Sequence, residues 1–124
     1  MNNSQFEVEI EELKKTLKDG LLSTIIFDKD SEEIIMEYNY TPNSTKAYNS
    51  IIKHTLNIFR EYKLDNIDKY MLFHLENNKI LVILSIYNYR WTLLVNNNQV
   101  KLGVLLNIVI PNMRNKFQDI IKVA

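Results

Sequence analysis

The chain of 124 residues has no cysteine, two glycines, two prolines and two histidines. Without cysteine there is no thiol nucleophile, no zinc thiolate site and no disulfide, so composition leaves the redox compartment open. Two glycines cannot build a phosphate-cradling loop, and neither a Walker loop nor a dinucleotide fingerprint is present, which argues against nucleotide binding by the chain itself. No cofactor or metal is expected, because the histidines and acids nowhere take metal-ligand spacing. Long apolar runs are also missing. The longest, near Ile80 to Ile86, is far below the ~20 residues that span a bilayer, and the opening Met1 to Leu13 is acidic, unlike a secretory signal. We expect a cytoplasmic protein without membrane insertion. A dominant charge sign is absent too: 15 basic and 15 acidic residues give a formal net charge of zero. Nucleic-acid binding normally demands a strongly basic face and is not expected.

The charge that is present is unevenly spread. Residues 1 to 38 carry ten acids against four lysines, a balance of −6, so the remainder carries +6. Such asymmetry suits charge-steered protein contacts. A chain this long fits a single domain, 1–124, with one core and no need of staples.

Ser4 and Glu7 have the capping-box spacing, and Phe6, Ile10, Leu13 and Leu17 then recur on one helical face, with Gly20 suited to a left-handed helix end. Leu21 to Phe27 is a β-branched apolar run. Polar turn material follows at Asp28 to Glu32, and Glu33 to Tyr40 alternates, with Ile34, Met36, Tyr38 and Tyr40 on one side, so the pair reads as a hairpin. Thr41-Pro42-Asn43-Ser44 opens a second helix over 45–63. Its core face is Tyr48, Ile52, Thr55, Phe59 and Tyr62. A second stripe, Ala47, Ile51, His54 and Ile58, lies roughly 80 to 100° round the axis, more apolar surface than one sheet requires.

Tyr70 to Leu75, the turn Asn77-Asn78, and Lys79 to Tyr87 read as two further strands, because an Asn pair tolerates positive φ. Ile80 to Leu84 is unbroken apolar, as a central strand covered on both faces should be. A turn at Asn88-Tyr89 leads into Arg90 to Val95, the fifth strand. In the last segment Leu102, Leu106, Val109, Met113, Phe117 and Ile120 hold one helical face straight across Pro111, so a single kinked helix is expected. An internal proline costs such a helix about 3 kcal/mol.

The order helix, strand, strand, helix, three strands, helix resembles the roadblock family of dynein light chains and GTPase regulators over nearly the whole chain. Its local carriers are Gly20-Leu21-Leu22-Ser23-Thr24-Ile25-Ile26-Phe27-Asp28, like the family's first strand ending in an acid, and Val100-Lys101-Leu102-Gly103-Val104, like its approach to the last helix. Family members often place Gly in the first hairpin turn, where this chain has Ser31-Glu32. The resemblance implies an α/β (α+β) sandwich: a five-stranded antiparallel sheet with the first and last helices on one face and the second helix on the other. It also implies dimers joined by edge strands with second helices side by side, formed with itself or with a second roadblock-like protein. Known members scaffold or regulate Ras-like small GTPases, or act as adaptors on dynein.

The expected function is therefore a non-enzymatic dimeric module that scaffolds or regulates a Ras-like small GTPase. The dimer interface would comprise Ala47, Ile51, His54 and Ile58 with Tyr70, Leu72 and His74 of the third strand. The GTPase would meet a polar ridge, Lys46, Asn49, Lys53, Asn57 and Arg60, whose three cations favour an acidic partner surface. A PAS- or profilin-like sandwich is the alternative, sensing a ligand between sheet and second helix or serving as a cytoskeletal adaptor. His74 and Glu76, two apart on one strand, could in principle do acid-base work. With no nucleophile or third ligand assignable beside them, they read as a polar edge pair, and Trp91 and the tyrosines read as core aromatics.

Overall fold

The first helix, α1 (Asn3–Leu17), buries Phe6, Ile10, Leu13 and Leu17. The structure, a computed structural model, describes residues 3–123. Because α1 already begins at Asn3, Ser4 lies inside its first turn and not ahead of it, and any residue capping α1 falls outside the described part of the chain. The helix ends through Lys18, whose φ of 51° takes the left-handed role expected of Gly20. Gly20 serves a different need. A Cβ built there would sit 2.5 Å from Val100 Cγ2, so the missing side chain permits close approach of two chain segments.

Five strands follow: β1 (Leu21–Asp28), β2 (Ile34–Tyr38), β3 (Tyr70–Leu75), β4 (Lys79–Ile86) and β5 (Tyr89–Asn96), with α2 (Ser44–Glu61) between β2 and β3. They form one antiparallel sheet in the order β2-β1-β5-β4-β3. Residues Ile80 to Leu84 of β4 are all buried, as an interior strand covered on both faces requires. Asn77 and Asn78, with φ of 61° and 58°, make the β3–β4 turn. The β4–β5 turn falls one residue earlier than expected, at Tyr87-Asn88, with Tyr87 at φ 53°. Strand β2 is shorter than expected. Its pairing with β1 shifts between Ile26 and Phe27, so Ile35 joins Met36 and Tyr38 against the core, and Tyr40 leaves the sheet to accept a hydrogen bond from the Asn43 amide. At the hairpin tip Asp28 Oδ1 accepts from the amides of Asp30 and Ser31, and these bonds hold its carboxyl below the usual carboxylate value. Glu32 takes the positive φ, 63°, that a glycine would otherwise supply.

The C-terminal helix is continuous through Pro111. It consists of α3 (Leu102–Val104), a π-helical turn at Leu105–Val109, and α4 (Ile110–Val123). A π turn carries i→i+5 bonds, so the backbone just before Pro111 is already displaced from the α register in which the ring would meet a carbonyl four residues back. The wider turn also changes which residues face inward. Leu105, Val109 and Ile110 are fully buried, while Leu102 and Leu106, expected on the core stripe, are half-buried at its margin.

Two apolar cores result. The larger lies between the sheet and the pair formed by α1 and the C-terminal helix, and includes Ile26, Val82, Leu84, Trp91 and Leu93 from the sheet. There Trp91 meets Phe117 edge-on at 5.5 Å and donates from Nε1 to Thr24 Oγ1 at 2.7 Å, which leaves its one polar atom satisfied. The smaller core, on the other face, comprises Ile52 of α2 with Leu81 and Ile83, flanked by Tyr48, Leu56, Met71, Phe73 and Leu94. The first and last helices thus share one face and α2 holds the other.

Candidate partner-binding surface

Helix α2 buries three residues, Thr45, Asn49 and Ile52, at 4, 3 spacing that Leu56 and Phe59 continue. Tyr62, expected on the core face, is 70% exposed, because α2 has ended by then: Lys63 takes φ 58° and the Leu64 amide donates to the Phe59 carbonyl, a left-handed cap. Thr55 turns back on its own helix and donates to the Ile51 carbonyl.

The second stripe stands open. Ala47, His54 and Ile58 are exposed and Ile51 is half-buried, with Ile58 at 52%. Asn49 lies about 180° round the axis from the stripe at 3.6 residues per turn. Its amide is tied to the β1–β2 turn, donating to the Lys29 carbonyl and to Glu32 Oε2, so the stripe faces away from that turn. On the same layer are three exposed apolar side chains that periodicity did not place on the open stripe: Tyr62 and Leu64 beyond the helix end and Leu75 on β3. Tyr62 could have been read as the next member of the stripe, four residues after Ile58.

Strand β3 pairs with β4 alone and forms a free edge of the sheet. Its register places Tyr70, Leu72 and His74 on the face of the larger core, where Tyr70 and Leu72 pack partly against it and His74 is exposed. The structure therefore does not bring these three side chains onto the face of the α2 stripe. What β3 offers a second chain beside that stripe is its backbone edge together with Met71, Phe73 and Leu75. Glu76 lies in the turn after β3, so it is not in strand register with His74.

Of the polar ridge, Lys46, Lys53, Asn57 and Arg60 are exposed, and Arg60 donates to Asn57 Oδ1 across one turn. Asn49 does not belong to it. At 1% exposure it is enclosed, with Oδ1 accepting from Arg90 Nε at 2.8 Å, and Arg90 also donating to Ser85 Oγ at 2.6 Å. A polar residue at a core position of α2 thus meets a polar residue of the sheet, which gives each a hydrogen-bond partner. Among the described residues no cluster of His, Cys, Asp and Glu could hold a metal ion, and no helix is long and apolar enough to cross a membrane.

The architecture is one antiparallel sheet with helices on both faces, β2 and β3 at its edges, and an apolar stripe left open on α2. It is the roadblock/LC7 fold. Against solved structures, the chain is similar to Myxococcus xanthus MglB with a TM-score of 0.78 at 12% identity, covering 98% of this chain and 91% of that one. It is similar to an MglB described as having a tetrameric arrangement, with a TM-score of 0.64 at 13% identity, covering 86% and 83%. A roadblock/LC7 domain from Streptomyces avermitilis matches with a TM-score of 0.53 at 9% identity, covering 80% and 87%. No family model and no curated protein matches the sequence.

Proposed function

We propose that the protein is a non-enzymatic, self-associating cytoplasmic module that scaffolds or regulates a Ras-like small GTPase, acting through α2 and the free edge of β3. The observation that carries this reading is the open stripe Ala47, Ile51, His54 and Ile58 on α2, in a chain whose fold matches MglB over nearly its full length. In a two-fold pair each stripe residue contributes once from each copy. Ile58, 52% exposed, and the half-buried Ile51 have at most about half of the 1.5 to 3 kcal/mol of a full burial left to contribute, roughly 1 kcal/mol each per copy, which Ala47, His54 and the β3 edge would supplement against association entropy. The partner copy is this chain or a second roadblock-like protein, and the tetrameric MglB is an instance of self-association in this fold. The exposed cations Lys46, Lys53 and Arg60 suit an acidic surface on the GTPase and would speed its approach.

Light scattering of the purified chain at micromolar concentration should report a dimer or larger assembly. Surface-immobilised protein should then retain a Ras-like GTPase from the same organism, loaded in turn with GDP and with a non-hydrolysable GTP analogue. Binding that depends on the nucleotide identifies a regulator, and binding indifferent to it identifies a scaffold. A monomer that retains no GTPase in either state refutes the reading.

A further inference from the structure

Arg90 is the one basic side chain among the described residues that is buried, at 7% exposure. Both of its hydrogen-bond acceptors, Asn49 Oδ1 and Ser85 Oγ, are neutral. Among the described residues it forms no ion pair; Asp30 acts on it only through space, and Glu32 is bound to the far end of the Asn49 amide. A guanidinium offers five N–H donors in a planar fork matched to a carboxylate. A buried charge without a counter-charge is costly, so this side chain has an electrostatic demand that the described residues do not meet.

Beside it lies a cavity of about 80 Å³ between α2 and the sheet. Its walls are aliphatic, from Ile52, Leu56, Met71 and Ile83, with Arg90 and Ser85 as polar groups and Ile67 to Tyr70 at the rim. We propose that this cavity takes a short aliphatic carboxylate, its head on the Arg90 guanidinium and its carbons against Ile52, Leu56, Met71 and Ile83. The volume is that of a few water molecules and excludes a nucleotide or a ring cofactor. The apolar lining disfavours phosphate and other strongly hydrated anions. At the rim the opposite charges of Asp68 and Lys69 offset one another. The same chemistry could come from a free acid or from a glutamate side chain of a bound protein.

Methyl NMR of the full chain tests the proposal by titration with butyrate and, in parallel, butyramide. Butyrate should give saturable shifts at Ile52, Leu56 and Ile83, with affinity about tenfold above that of its neutral isostere. Equal affinities, or no saturable shift, overturn it. Arg90→Gln should abolish the preference for butyrate. Since that change also strips Asn49 of a partner and could unfold the chain, Ile67→Trp at the half-buried rim provides a second test: it should block butyrate with the fold intact, and an unchanged butyrate response refutes the site. N-acetylglutamate α-amide separates the sources. Tighter binding than butyrate assigns the cavity to a protein-borne acid, and weaker binding assigns it to a free one.

Discussion

Two glycines in this chain have opposite uses, and substitution separates them. At Gly20 an added methyl meets Val100 Cγ2 at 2.5 Å, and Val100 is buried. Gly20→Ala should therefore destabilise the protein by about 1 to 3 kcal/mol, as overpacking in a filled core does. Gly103 lies in the first turn of α3 with nothing within 4 Å of a built Cβ, and Gly103→Ala should stabilise by about 0.3 to 1 kcal/mol by restricting the unfolded chain. Urea denaturation of both variants checks the pair; the same sign for both would contradict the packing seen here. Neither role is visible in sequence, where both glycines look like punctuation. Asn49 was hidden for a related reason. Polarity assigns it to the solvent ridge, yet its spacing of three from Ile52 and seven from Leu56 is that of the buried face. Only its contacts with Lys29, Glu32 and Arg90 explain how an amide occupies a core position.

The elements were more legible than the residues. Hydrophobic period located the three long helical segments and the five strands among the described residues, because periods of 3.6 and 2 are enforced by burial on one face, but not the 3-10 turn at Lys18–Gly20. It failed where geometry departs from the ideal period. A π turn at Leu105–Val109 carries an extra residue, so a straight helical count moves the inward face from Leu105 and Ile110 to Leu102 and Leu106. The same turn bears on Pro111. Pro111→Ala should change stability by less than about 1 kcal/mol, since the helix has already adapted to the missing hydrogen bond. A loss of several kcal/mol in thermal denaturation would mean that the proline ring itself is essential to docking. Strand pairing shows a comparable gap: the interior place of β4 follows from its unbroken apolar run, but the parity of Tyr70, Leu72 and His74 depends on register, and one residue's slip exchanges faces. On α2, Ile58→Glu should weaken self-association at least tenfold while leaving circular dichroism unchanged, because the position is 52% exposed in the single chain. Loss of helical signal would return Ile58 to the protomer's own core.

At the scale of the whole molecule the charge distribution bears on how the proposed partner would arrive. The cations Lys46, Lys53 and Arg60 share one exposed flank of α2. Reversing Lys53 and Arg60 to Glu should slow association with the proposed small GTPase more than it speeds dissociation, because rim charges act chiefly on encounter. Raising salt should mimic the change, as screening shortens the field to about 10 Å at 0.1 M. Surface plasmon resonance reads both rates, and a double variant that associates at the wild-type rate in low salt would move the contact elsewhere. Element order, through its resemblance to the roadblock family, was enough to anticipate the sandwich; the identity of the partner is not written in any local motif.

The unequal size of the two cores sets an order of opening. On one face α1 and the C-terminal helix are sewn to the sheet by side chains from Phe6 to Ile120, while α2 is attached through Thr45, Asn49, Ile52 and a few flanking contacts. Local unfolding is cheapest where buried contacts are fewest. In the dilute chain α2 amides should exchange with deuterium well before those of β4, and raising concentration should slow α2 while β4 keeps its rate. The helix proposed to meet other molecules is thus the one whose order would depend on their presence.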